Sequence, residues 1–420
     1  MAKALIITVG GSDTPIVEAI KQHRPDFIYF ICTEGNDPTK ASSPTVDGQV
    51  VIGKPKIKCP CCNKIIQEQE TRENIIKQAG YSGDYKKIEI QGPDNYNEIY
   101  EKTKAVIDEA KSKGYEIIAD FTGGTKTMTA VLAMLSVLDF DIKPSLTTGK
   151  RTDTVRVAGD SIPVLLNVSQ VRFEKILEVV GILVSNYLYN SAYTVLKQAA
   201  TKIIMDEKIK QQAIERTLLL RAFSCWDSFD YKGAYDEIRN HSVEFGNYLE
   251  YLLKILNMTK NTGYEPVFDL IMNAERQAHN GFFDNAVARL YRALELFAQI
   301  RLKKEYCIDT SALEKSMNKL KNPERWEKKK NEKGEIKIGL QDDYELLFEL
   351  EDFFGTIYNQ QKEKLQNILQ VRNFSKLAHG DQPVSEENWK NMLEFTKSFI
   401  KECCDNAKIK VEYLQLPTKI

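Results

Sequence analysis

A change of period divides this chain. Up to about residue 165, short apolar and β-branched runs alternate with helical stretches; from about Phe173 to residue 405 apolar residues recur only at helical spacing. Leu5 to Val9, Phe27 to Thr33, Lys87 to Gln91 and Glu116 to Phe121 read as strands. Asp13 to Gln22, Asn95 to Lys113 and Lys126 to Leu138 read as helices. Ser12 or Asp13 is placed to cap the first, Pro15 stands in its first turn, and Gly114 closes the second. Continuously apolar strands separated by helices form a parallel sheet covered on both faces. The expected fold is therefore α/β followed by all-α: a Rossmann-like parallel sheet over residues 1–165, a helical linker region over 166–262 and a helical domain over 263–420.

In the helical part, Ile176, Leu177, Val180, Leu183, Val184 and Leu188 keep helical spacing, and Asp284 to Phe297 is strongly amphipathic. Glu327 to Gly339, charged and glycine-containing, reads as an exposed loop. Helices resume at about Tyr344 and again near Asn367 to His379. Tyr231-Lys232-Gly233-Ala234 and Phe283-Asp284-Asn285-Ala286 look alike, but they stand 52 residues apart with no third copy, which excludes a helical repeat array.

The balance of charge limits the partners. Net charge is −1 over 420 residues, so no global basic field advertises nucleic acid and any RNA contact has to be local. No apolar run approaches the roughly 20 residues that span a bilayer. The first nine residues are too short and too β-branched for a signal peptide. The eight cysteines are scattered apart from Cys59, Cys61, Cys62 and the pair Cys403, Cys404. That usage suits a reducing cytoplasm, the expected location, better than a disulfide framework.

Two glycine-rich turns follow strands in the first part: Gly10-Gly11-Ser12, and Thr122-Gly123-Gly124-Thr125-Lys126, which opens a helix. Ligands of open parallel sheets sit at the carboxyl ends of the strands. Glycines let backbone N–H groups approach a phosphate, and a helix N-terminus adds favourable polarity. Lys126 would add a point charge, and Ser12, Thr122 and Thr125 hydroxyl groups. The residues match neither G-x-x-x-x-G-K-[ST], since Pro144 stands where Gly149-Lys150 would need a glycine, nor G-x-G-x-x-G. The site thus suits an anionic, nucleotide-like ligand that is neither a P-loop nucleotide nor a standard dinucleotide. The alternative is that both turns are ordinary connections.

Cys59-Pro60-Cys61-Cys62 invites a zinc reading, but a closed site needs four ligands and only one cluster is present; free thiols are the alternative. Arg289, Arg292 and Glu295 share a helix, where Arg292 and Glu295 can pair on the surface or the helix can flank a catalytic site.

Arg372 and His379 stand seven positions apart in a segment of helical pattern. Seven residues are nearly two turns, so both side chains would share one face about 10 Å apart along the axis. A permanent cation beside a group that changes charge near neutrality suits a phosphodiester. The simpler reading is a helix end, with Gly380, Asp381 and Pro383 as the stop and the histidine favoured by the helix dipole. There are only four histidines, and His379 is the best acid–base candidate among them.

Together these motifs resemble the CARF–HEPN ribonucleases of type III CRISPR antiviral systems. The Gly/Ser turn after the first strand and the Thr-Gly-Gly-Thr-Lys turn after a later one resemble the CARF pattern. Arg372-Asn373 with six residues before His379 resembles the HEPN pattern. The resemblance implies a cyclic-oligoadenylate sensor joined to a metal-independent, single-stranded RNA endoribonuclease, working as a homodimer. It implies Gly10, Gly11, Ser12, Thr122, Gly123, Gly124, Thr125 and Lys126 as ligand-binding residues. Arg372, Asn373 and His379 would be catalytic, with no metal, no cofactor beyond the allosteric cyclic oligoadenylate, no membrane and no DNA. Two further readings stay open: a sensor without enzyme activity, and a ring nuclease that degrades its own activator. The cysteine-bearing insert around residues 54 to 64 is a departure that the family pattern does not explain.

Overall fold

Lys3–Thr8 (β1) forms the middle of a sheet because every side chain from Ala4 to Thr8 is buried, a pattern only a strand covered on both faces shows. Phe27–Thr33 (β2), Asp84–Ile90 (β3), Glu116–Asp120 (β4), Ile142–Thr148 (β5) and Ile162–Leu165 (β6) complete it. The strand order is β6-β5-β4-β1-β2-β3. All pairs are parallel except β6 against β5. In register, Ile6 lies between Tyr29 and Ala119. The computed structural model describes the chain apart from residues 38–39, 49, 53–56, 59, 63, 68–69, 150, 153–155, 158–161, 203–206, 240–241 and 374–381.

Alternation along the strands sorts the helices onto two faces. Leu5, Ile7 and Phe30 pack with Ile16, Val17 and Ile20 of Thr14–His23 (α1). Ile6, Tyr29 and Ile31 pack with Ile99 and Val106 of Tyr96–Ser112 (α2) and with Val131 and Leu132 of Lys126–Leu138 (α3). Local chemistry sets the helix ends. Asn95 accepts the Glu98 N–H at the start of α2, and Gly114, at φ +71°, lets the chain leave it.

The four strands read from the sequence are present. β3 starts at Asp84, earlier than its apolar pattern suggested, because it is an edge strand whose first residues are exposed. β5 and β6 did not stand out, because Pro144 and Pro163 interrupt them. Pro163 is tolerated because β6 is the other edge.

The chain divides into two compact units, Met1–Ile176 with Gln198–Lys210, and Leu177–Lys197 with Gln211–Ile420. No strand occurs after β6 among the described residues. The second unit is built on Glu265–His279 (α4), Phe283–Tyr306 (α5), Leu340–Glu349 (α6), Phe353–Gln360 (α7), Lys362–Asn373 (α8) and Glu386–Ala407 (α9). Helix α5 is its axis: Leu290, Leu294 and Phe297 are fully buried, and Phe297 stacks on Phe354 at 4.7 Å. Burying each such side chain contributes about 1.5–3 kcal/mol. The loop expected at 327–339 is present, but Ile336 and Ile338 are buried in the core and pin it. Helix resumes at Leu340, before the expected Tyr344.

Candidate functional site

The order β3-β2-β1-β4-β5 has a consequence at the carboxyl edge of the sheet. From β1 the chain first builds outward through β2 and β3, then returns to the other side of β1 for β4 and β5. The connections leaving β1 and β4 therefore diverge, and open α/β sheets of this kind bind their ligands where such connections part. Both glycine-rich turns lie there. A Cβ on Gly10 would sit 2.6 Å from the Gly124 amide nitrogen and 3.1 Å from its Cα, so the two turns touch where only glycine fits. Gly124 takes φ +90°, which L side chains rarely adopt, and a Cβ on Gly123 would meet the Thr8 carbonyl oxygen at 2.5 Å. Gly11 is different: nothing lies within 4 Å of a Cβ there, and the residue is exposed.

A buried polar scaffold holds the second turn. Asp120, at the end of β4 and fully buried, accepts the Thr122 N–H at 3.0 Å and the Ser145 hydroxyl at 2.8 Å. Ser145 meets His23 Nε2 at 2.9 Å. The Thr147 N–H donates to Thr122 Oγ1 at 2.7 Å, and the hydroxyls of Thr8 and Thr129 both donate to the Gly123 carbonyl. Thr125 caps α3 by accepting the Met128 N–H and donates to the Pro93 carbonyl at 2.9 Å. Burial pushes the Asp120 carboxyl up from its ordinary value, against hydrogen bonds from Thr122 and Ser145 and the nearby His23, and it pulls His23 down. The hydroxyls of Thr122 and Thr125 thus shape the turn, while Ser12 and Lys126 are exposed. Lys126 forms no ion pair among the described residues.

Asp13 stands at the N-cap of α1 yet makes no cap bond. Its carboxylate turns instead to Arg72, 3.0 Å away, and to the amide of Gln78 at 2.6 Å. Sequence reading missed Arg72 and the scaffold residues Thr8, His23, Asp120, Ser145 and Thr147. Only Asp120, a polar residue closing an apolar strand just before the turn, left a local signal.

In the helical unit, Arg372 and Asn373 are the last two residues of α8. His379 lies outside the described residues, so the expected shared helical face does too. Helix α8 packs against α5 and α9. The chain returns at Val384, whose N–H donates to Asp284 Oδ2 at 3.1 Å beside the start of α5. On α5, Arg292 pairs with Glu295 at 2.5 Å and with Gln299 at 2.9 Å, an exposed surface cluster. Arg289 instead bonds Asn273 of α4 and the Asn285 carbonyl. Cys59 lies outside the described residues, and Cys61 and Cys62 are exposed and unbonded. Among the described residues no three His, Cys, Asp or Glu side chains gather as a metal site would require. None of the described helices is long and apolar enough to cross a membrane.

Residues 256–402, which carry helices α4 to α8, most of α9 and the Arg372 to His379 segment, match the family model of the Csm6 HEPN domain. The structure is similar to that of Enterococcus italicus Csm6 bound to cyclic hexa-2′-fluoro-hexa-dAMP. The TM-score is 0.58 over 96% of this chain and 94% of that one. The family match thus covers the HEPN part of the chain, residues 256–402. At 13% identity the likeness to that Csm6 is one of fold, and it extends across the parallel sheet as well as the helices. No curated protein matches the chain in sequence.

Proposed function

We propose that the protein is an RNA endoribonuclease of type III CRISPR antiviral defence, switched on by cyclic oligoadenylate. The observation that carries this reading is the touching pair of turns, Gly10 against Gly124, at the switch point of the sheet in a chain whose residues 256–402 match an HEPN domain. The turns present backbone N–H groups, Ser12 and Lys126 to a ligand rich in phosphate, the class to which the ligand of the similar Csm6 structure belongs. Gly10, Gly11, Ser12, Thr122, Gly123, Gly124, Thr125 and Lys126 form this ligand site in the proposal.

RNA cutting is assigned to Arg372, Asn373 and His379. The RNA 2′-oxygen attacks the adjacent phosphorus while His379 handles the proton, as base to the 2′-hydroxyl or as acid to the departing 5′-oxygen. The P–O5′ bond breaks, leaving a 2′,3′-cyclic phosphate and a free 5′-hydroxyl. Arg372 stabilises the charge that develops on the phosphate, and Asn373 orients it. No metal takes part.

If the helix ran on through residue 379, one Arg and one His would stand about 10 Å apart and would not enclose a phosphate by themselves, so in the proposal two copies facing across a two-fold axis complete one site. A ring of adenylates shares that symmetry, and its binding across a CARF pair (residues 1–165) biases the HEPN pair (263–420) through the helical region between them. The protein acts in the cytoplasm. The test is cleavage of a labelled single-stranded RNA in EDTA, with and without cyclic oligoadenylates of different ring size, with products analysed for the 2′,3′-cyclic phosphate. Cleavage that needs added metal, or that ignores every ring, contradicts the proposal.

A further inference from the structure

The insert between β2 and β3 has no counterpart in the motifs above, yet it delivers one side chain to the rim of the crevice. Val50–Ile52 and Glu70–Arg72 form a short antiparallel pair in which Val50 lies opposite Arg72. Val50 is buried and Asn74 donates to the Gly48 carbonyl, so both ends of the insert are anchored. Arg72 is thereby held with its guanidinium 3.0 Å from Asp13, the residue that follows Ser12 of the first glycine-rich turn.

The charges at this point need explaining. Asp13 is buried, and it stands at the mouth of a turn suited to anions. A bare carboxylate there would repel a phosphate. Arg72 pairs with one oxygen and offsets the charge, while the neutral Gln78 amide donates to the other. Arg72 is not exhausted by this. A guanidinium carries five N–H donors in a planar fork, and the contact to Asp13 is made through Nη1. Its Nε is buried and has no hydrogen-bond partner among the described residues. A buried donor left unmade is costly, which marks a group in want of an acceptor.

We infer that Arg72 is a further ligand-contacting residue of the crevice: the insert supplies a guanidinium that neutralises Asp13 and donates to a phosphate of the bound ring on the β2 side of the first turn. This rests on the proposed reading of the crevice as a cyclic-oligoadenylate site. It gives the insert a role in ligand affinity that the two glycine-rich turns alone do not supply.

The experiment measures binding of fluorescent cyclic hexaadenylate, with cyclic tetraadenylate as a second probe, across a salt series. Wild type is compared with Arg72→Ala, Arg72→Lys, Asp13→Asn, the Arg72→Ala/Asp13→Asn double variant and Lys126→Ala. Arg72→Ala is expected to weaken binding about tenfold or more, and to reduce the slope of log affinity against log salt by about 0.7 for one lost phosphate contact on a flexible strand. Arg72→Lys keeps a cation beside Asp13, and with it the fold, and recovers part of the loss. The double variant recovers only the share that came from exposing Asp13.

Wild-type affinity and slope in Arg72→Ala would overturn the inference, as would full recovery in the double variant, which would leave Arg72 as a mask for Asp13 and nothing more. If Lys126→Ala weakens binding while Arg72→Ala does not, the inference fails and the crevice reading stands. If wild type binds neither ring, the crevice reading itself fails.

Discussion

Replacing Gly10 by alanine places a methyl carbon 2.6 Å from the Gly124 nitrogen, 3.1 Å from its Cα and 3.3 Å from its carbonyl oxygen. Ordinary contact begins near 3.4 Å, so the two turns must part by roughly 0.8 Å. All three clashing atoms are backbone, and Gly124 is bracketed by bonds from Thr8 and Thr129 to the neighbouring Gly123 carbonyl. The strain cannot be shed by turning a side chain. Overpacking of this kind costs about 1–3 kcal/mol. If the turns part, the same energy is withdrawn from ligand binding, a loss of about 5- to 150-fold in affinity. If they stay together, it appears as a melting temperature lower by about 2–4 °C for each kcal/mol. Gly11→Ala is the matched control, since its methyl group meets nothing within 4 Å. The assay is polarisation of fluorescent cyclic hexaadenylate alongside thermal unfolding. Gly10→Ala should lose affinity, melting temperature or both, and Gly11→Ala should keep its melting temperature. Wild-type values for Gly10→Ala in both measurements would refute the close approach of the turns.

Other outcomes follow from the same geometry. Lys126→Ala, at an exposed position, should weaken ring binding while leaving stability within about 0.5 kcal/mol of wild type; unchanged affinity would remove Lys126 from the site. Asp120→Ala strips the Thr122 N–H and the Ser145 hydroxyl of their acceptor and should cost about 1–3 kcal/mol in chemical denaturation. Leu294→Ala in the α5 stripe should destabilise by about 2–5 kcal/mol, and a smaller loss would mean that α5 is not the axis of its unit.

Asp343 predicts a pH dependence. It is fully buried, neither oxygen has a hydrogen-bond partner among the described residues, and burial with help from Glu295 and Asp342, against Gln299 and Arg292, pushes its carboxyl up to about 8. The unfolded chain releases this proton near pH 4, so the folded state holds the extra proton and loses stability as pH rises from about 4 through 8. Asp343→Asn should therefore stabilise the protein, with a gain in urea unfolding that grows from pH 5 to pH 8.5. A gain that is flat across that range would count against a buried, unpaired carboxyl.

How far the sequence exposed this design differs from element to element. β1, β2 and β4 were plain because their apolar runs are unbroken, and α2 and α3 because Asn95 and Thr125 cap them as side chains of that type do. β5 was hidden by Pro144, and with it went Ser145 and Thr147, which hold the second turn from the neighbouring strand. Asp13 was legible as a cap position but not as the partner of Arg72, because an ion pair across 59 positions leaves no periodic trace. Ile336 and Ile338 looked like part of a charged loop because two apolar residues among lysines and glutamates do not form a pattern, yet they anchor it. The glycine-rich turns were legible as turns. That Gly10 and Gly124 touch required the strand order β1-β4, which no local signal encodes.

In the proposed function one end of the chain reads a cyclic nucleotide and the other cuts RNA with Arg372 and His379. A single cleavage assay addresses it: labelled single-stranded RNA in EDTA, with cyclic tetra- or hexaadenylate, using wild type and His379→Ala. Wild type should be strongly stimulated by one of the two rings and give products ending in a 2′,3′-cyclic phosphate, and His379→Ala should show no stimulated cleavage while still binding the ring with wild-type affinity. Stimulated cleavage that survives in His379→Ala would contradict it.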